Sequence, residues 1–189
     1  MGASALSVIL YSEIPLLRSP QEKALVHTIP WLLVPHIFAG LTALLSGPLQ
    51  FSSRLRRRNP KFHRILGRVY VCAVFTAAPL AIAMASRKVT PQPGYFFAAN
   101  LVQASAWLVT TTAAFLTARN RQIQQHREWM VRSYAVTFTF VLTRVLQPIP
   151  AWNHFTRPGF AMTIIIITLM AILLPDIGLH WRELTTRRT

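Results

Sequence analysis

Two segments pair imidazole with guanidinium at matching spacings: "KFHRILGRVY" at 61–70 and "QHREWMVRSY" at 125–134 each set His-Arg ahead of Arg-x-Tyr. Asn59 and Pro60 read as the cap and first residue of a helix, which puts His63, Gly67 and Tyr70 along one face. In the second segment His126, Met130, Tyr134, Thr137, Val141 and Arg144 follow a similar line. With Arg64, Arg68, Arg127 and Arg132 alongside, the two histidines suit two chemistries. Histidines on neighbouring helices ligate haem b iron axially while arginines hold the propionates, or serve a quinone redox centre. Alternatively, a cationic pocket of His and Arg gives fork-shaped donors to the phosphate or carboxylate of an anionic amphiphile, bound or transported. Depth favours the second, because His63 precedes the apolar run beginning at Val69 by six residues, about 9 Å of helix, and a buried porphyrin needs deeper ligands. A purely structural reading has the same residues anchoring helices to anionic headgroups.

Two further residues stand inside apolar runs. His36 lies five residues beyond Trp31, with Gly40 one turn on, and an ionisable group there is a candidate ligand for haem or substrate; the bland alternative is a hydrogen bond to Asn100 or Gln103. Arg144 is about thirteen residues into its run and needs an interior partner or an anionic ligand. Asp176 is expected to make a local pair or to meet a basic-side arginine, and Glu128 with Arg132 forms an i,i+4 pair. With only five carboxylates, the chain has no Asp-rich diphosphate motif, no H-E-x-x-H, no P-loop and no G-x-S-x-G. No catalytic residue is assigned.

The elements that must position these groups are membrane helices. The chain is 52% hydrophobic and only 13% charged, with mean hydropathy +0.38. Its net charge of +15 falls mainly between apolar runs, so the partners it implies are the bilayer and anionic lipid headgroups rather than nucleic acid. Runs near 31–50, 69–86, 95–117, 133–152 and 159–180 are each long enough to cross about 30 Å of hydrocarbon. Fourteen of the 20 Lys and Arg lie in the 53–68 loop, the 118–132 loop and the C-terminal stretch from Arg182 onward. Short basic loops stay cytoplasmic, so the N-terminus is expected outside and the C-terminus inside a plasma or bacterial inner membrane. Residues 1–28 read as a short extramembrane or interfacial segment, 29–182 as the transmembrane domain and 183–189 as a cytoplasmic tail.

A slide of about 64 residues lays His63 on His126 and Tyr70 on Tyr134 to within one residue, as two repeated hairpins would. The expected fold is an all-α polytopic bundle of about five spans, a four-helix core from the two hairpins plus a peripheral fifth helix. Gly40, Ala43 and Gly47 on one run, and Ala73, Ala77, Ala81 and Ala85 on the next, are small-residue stripes for close helix approach.

Taken with Arg144, "PHIFAGLTALLSGPLQF", "HRILGRVY" and "HREWMVRSY" resemble a family of predicted multi-pass membrane proteins, domain-of-unknown-function family 2306. That resemblance implies an integral membrane location and a helical bundle, and it carries no reaction.

Overall fold

The computed structural model describes residues 27–87, 94–146 and 157–185, and among these there are six helices and no strand. They are α1 (Pro30–Gln50), α2 (Ser53–Arg58), α3 (Pro60–Ser86), α4 (Gly94–Arg119), α5 (Ile123–Leu146) and α6 (Arg157–Thr185). The expected all-α bundle is what forms. Residues 1–26 of the expected N-terminal segment, 147–152 of the fourth run with Trp152, and 186–189 of the tail lie outside the described residues.

Local chemistry sets the boundaries at the basic end. Ser52 caps α2 by accepting from the Leu55 N–H at 3.2 Å. Asn59 Oδ1 accepts from the Phe62 N–H at 3.1 Å, and Pro60, with no N–H to leave unpaired, opens α3 as expected. The α4–α5 turn is a Schellman closure: Gln122 N–H donates to the Thr117 carbonyl at 2.9 Å and Arg121 N–H to that of Ala118 at 3.1 Å. Arg121 takes φ 60 to make it, a conformation that usually falls to glycine.

Helices α1, α3, α4 and α6 are long and apolar enough to cross a bilayer. Among the described residues helix α5 is not one of them, so length and composition there support four of the five expected spans. Its polar residues explain the difference, because Arg132, Ser133, Thr137 and Thr139 are buried in protein rather than offered to lipid. The chain path still carries α5 along the height of the bundle. Arg132, near its start, meets Asp176 late in α6, whereas Ala99 and Phe96, early in α4, pack against Ala161 and Phe160 at the start of α6. Helix α6 packs on α4 and α5 at the periphery; 17% of its apolar stretch is buried, against 28–39% for the other three.

The core joins Ala43, Tyr70, Ala73, Val74, Ala77, Trp107, Ala114, Met130 and Val136. Of the expected small-residue stripes, Ala43 and Gly47 face Ala73, Ala77 and α5, while Gly40 has open space beside it.

Candidate functional site

Both hairpins turn at the same end of the bundle, and that end gathers the echoing motifs. Tyr134 of α5 reaches across to α1: its ring meets Phe51 edge-on at 5.7 Å and its hydroxyl donates to the Leu44 carbonyl at 3.3 Å. Pro48 lacks the N–H that would have bonded that carbonyl within the helix, so the tyrosine takes over an acceptor that the proline released. Gly47 makes the space, since a Cβ there would stand 2.2 Å from the Tyr134 ring.

The two histidines come close enough for the charge of His126 to act on His63, and Arg56 of α2 acts on it more strongly. Their hydrogen bonding differs. His126 Nδ1 donates to the Ala114 carbonyl at 2.8 Å. The Gln50 amide donates at 3.5 Å to the His63 backbone carbonyl, and its Oε1 lies against Gly67. The His63 Nδ1 atom is buried and has no hydrogen-bond partner among the described residues. His63 lies in the first turns of α3, ahead of the apolar run from Val69. There burial first, then the positive charges of Arg56 and His126, hold its imidazole below the ordinary pKa of 6.5.

The arginines disperse. Arg132 is 9% exposed and committed to protein: it pairs with Asp176, has Glu128 at 3.9 Å, and lies 4.7 Å over the Trp129 ring. Asp176 thus meets a basic-end arginine, one of its two expected fates, and the Glu128–Arg132 pair forms as expected. Arg64 is exposed and donates to the Pro60 carbonyl of its own helix at 3.3 Å. Arg127 is exposed. Arg68 sits about 140° around α3 from His63, by the 100° step of a helix, and lines a different feature, the α1–α3 groove. The Arg144 side chain lies outside the described residues.

His36 donates to the Ala77 carbonyl on α3 at 2.9 Å. The amide groups offered to it by sequence are bonded elsewhere, Gln103 to Thr139 at 2.7 Å and Asn100 to the Phe96 carbonyl at 2.9 Å. Ala77 is fourteen residues from His63, about 21 Å along α3, so His36 and His63 cannot hold one small ligand. Among the described residues no three His, Cys, Asp or Glu side chains come together as a metal site.

Sequence reasoning missed a buried polar cluster between α3, α4 and α5. Tyr70 Oη meets Ser133 at 2.8 Å and Thr137 at 2.9 Å, Ser133 meets Thr111 at 2.7 Å, and Trp107 Nε1 donates to Thr137 at 2.9 Å. Thr137 also reaches the Ser133 carbonyl and Thr111 the Trp107 carbonyl. Four hydroxyl protons (Tyr70, Thr111, Ser133, Thr137) therefore serve five contacts, so one is always shared. Such bonds hold membrane helices together where burial of apolar surface gives little drive. The signal was the run of Ser and Thr at helical spacing in 133–143.

Lipid-facing helices around a polar, protein-buried α5, with basic turns at one end, define a multi-helix membrane protein. Residues 33–179 match the family described as "Predicted membrane protein (DUF2306)", and the chain belongs to that family. No curated protein and no solved structure matches the chain.

Proposed function

We propose that this membrane protein binds, and in a transport cycle hands on, an anionic amphiphile at the end of the bundle that carries His63, His126 and Arg56. The single observation that carries the reading is the buried, unpartnered His63 Nδ1. An unpaired buried polar atom costs about 1–3 kcal/mol, and the equivalent atom on His126 is satisfied by a backbone carbonyl. With the ring proton on Nδ1, an acceptor oxygen of a phosphate or carboxylate removes that cost, and the neighbouring positive charges favour one carrying negative charge. Exposed Arg127 and Arg64 stand on the same helix ends to meet the rest of a headgroup. The excess of Lys and Arg in the loops of this end supports a cytoplasmic position for it, in a plasma or bacterial inner membrane, with the N-terminus outside. No observation on the histidines favours the haem or quinone alternative.

The test is lipid analysis of full-length protein purified in mild detergent. His63→Ala with His126→Ala lowers the copurifying anionic lipid, while a melting curve in the same detergent checks that the fold survives. Unchanged anionic lipid in a folded double variant overturns the reading.

A further inference from the structure

On the side of α3 turned away from His63, a groove of about 430 Å³ opens between α1 and α3. That volume is in the range of small-molecule sites, roughly 300–1,000 Å³. Arg68 and Ile65 stand at its basic end, Cys72 and Thr76 follow along α3, and Ala39 and Thr42 form the α1 wall. From Arg68 to Thr76 is eight residues, about 12 Å toward the middle of the bundle. The hydroxyls in it are spent on their own helices, Thr42 on the Phe38 carbonyl at 2.7 Å and Thr76 on that of Cys72 at 2.9 Å. They present methyl groups, and the small side chains of Ala39 and Ala73 leave the depth.

The lining is thus apolar except for one cation at one end. Lys61 lies seven residues before Arg68 on the same helical stripe, and both are exposed. Helices α1 and α3 are two of the four apolar enough to cross a bilayer, so the groove opens toward hydrocarbon while its mouth lies at headgroup level.

We infer that this groove is a specific lipid site, in which an anionic glycerophospholipid lays one acyl chain between α1 and α3 and sets its phosphate on Arg68. It uses none of the residues around His63, and it stands or falls apart from the proposed function.

The experiment embeds the full chain in phosphatidylcholine nanodiscs with a minor fraction of phosphatidylglycerol carrying a photoreactive diazirine midway along one chain, and maps adducts by mass spectrometry. Adducts concentrate on Thr42, Cys72 and Thr76. Arg68→Gln lowers their yield roughly fivefold, the factor that goes with one basic residue at a charged membrane surface. Thr76→Phe, which fills the groove from an exposed position, abolishes them. A phosphatidylcholine probe of the same chain labels the groove several-fold less.

Adducts spread over all lipid-facing helices, or groove adducts that survive Thr76→Phe, overturn the site. Equal labelling by the two headgroups overturns the assigned occupant. Loss of copurified anionic lipid in the His63/His126 variant alongside unchanged groove adducts supports two separate sites. Groove adducts lost together with it overturn the independence of the two sites.

Discussion

Replacing Gly47 with alanine tests how tightly the two hairpins are docked. The new Cβ would lie 2.2 Å from Cδ2, 2.3 Å from Cε2 and 3.3 Å from Cγ of Tyr134. Such contacts cannot be absorbed by a tremor of a flexible side-chain tip, because the ring is held at both ends. Its hydroxyl serves the Leu44 carbonyl released by Pro48, and its edge abuts Phe51. Swinging it away forfeits that bond and the aromatic contact, so α1 must move or the ring must leave. Overpacking of this kind costs about 1–3 kcal/mol, which for a chain of this size is a melting-temperature loss of roughly 2–12 °C.

Thermal unfolding in mild detergent measures it, with Gly40→Ala as the internal control. Gly40 is a helical glycine on the same α1 with nothing within 4 Å of its would-be Cβ, so alanine there is neutral or stabilises by up to about 1 kcal/mol. In a Tyr134→Ala background the ring is gone, and Gly47→Ala becomes as harmless as Gly40→Ala. If Gly47→Ala melts with the wild type, or if its loss persists once Tyr134 is truncated, the docking argument is wrong.

Three other outcomes follow from the same geometry. Tyr70→Phe leaves three hydroxyl protons for three contacts and so costs less than about 1 kcal/mol; adding Thr137→Val strips Trp107 Nε1 of its hydroxyl acceptors and costs about 1–3 kcal/mol more, a non-additivity that a double-mutant cycle in detergent reads directly. Asp176→Asn leaves buried Arg132 with Glu128 alone, and because Asp176 is partly exposed the loss is about 1–2 kcal/mol rather than the full cost of a buried pair; a melting curve indistinguishable from wild type would refute the pairing. His63 has a folded pKa below its ordinary 6.5, so the folded state binds fewer protons than the unfolded, and the stability tied to the neutral ring is present above about pH 6.5 and lost as pH falls through the folded value. Without anionic lipid the melting temperature therefore drops on acidification more in wild type than in His63→Gln, and with anionic lipid bound to a protonated ring this difference shrinks; identical pH profiles for the two proteins contradict it.

What could be read from the sequence was what local chemistry decides. Asn59 and Pro60 announce the start of α3 because a cap and a missing N–H act within four residues. The run 159–180 reads as peripheral because it is apolar all round, and α6 is peripheral. Helix α5 shows where this logic stops: hydropathy scores its Ser, Thr and Arg as a burden, whereas packing turns them inward onto Tyr70, Trp107, Gln103 and Asp176. Which arginine Asp176 meets depends on how α6 lies against α5, 44 residues away in sequence, and no local signal encodes that. Arg56 was one charge among seven in a basic loop until the turn of α2 set it near His63. The partition of Arg68 from His63 was available in principle, since a helical wheel separates them by about 140°, but the shared basic motif drew them into one site.

The two hairpins agree further than their motifs. A shift of 64 carries Gly47, which cradles Tyr134, onto Thr111 of the Tyr70 cluster. The same shift carries Gln50, which contacts His63, onto Ala114, which accepts from His126. In each hairpin the helix before the turn thus contacts the histidine residue after it, through the Gln50 side-chain amide in the first and the Ala114 carbonyl in the second, although the histidines themselves are 63 residues apart rather than 64. The copies differ in what stands there. The Ala114 carbonyl accepts from the His126 imidazole, whereas the Gln50 amide bonds the His63 backbone and the His63 Nδ1 has no hydrogen-bond partner among the described residues. A helix anchor alone would be served equally well by the closed arrangement in both turns. That one turn forgoes a hydrogen bond, where the charge of Arg56 also acts, is the feature an anchoring role leaves without a cause. Gln50→Ala is its direct test: it gives position 50 the side chain found at Ala114, where the imidazole closes on the backbone, and is expected to lower anionic lipid retention without lowering the melting temperature. A variant that retains its lipid in full while gaining no stability would show that the open imidazole serves no ligand.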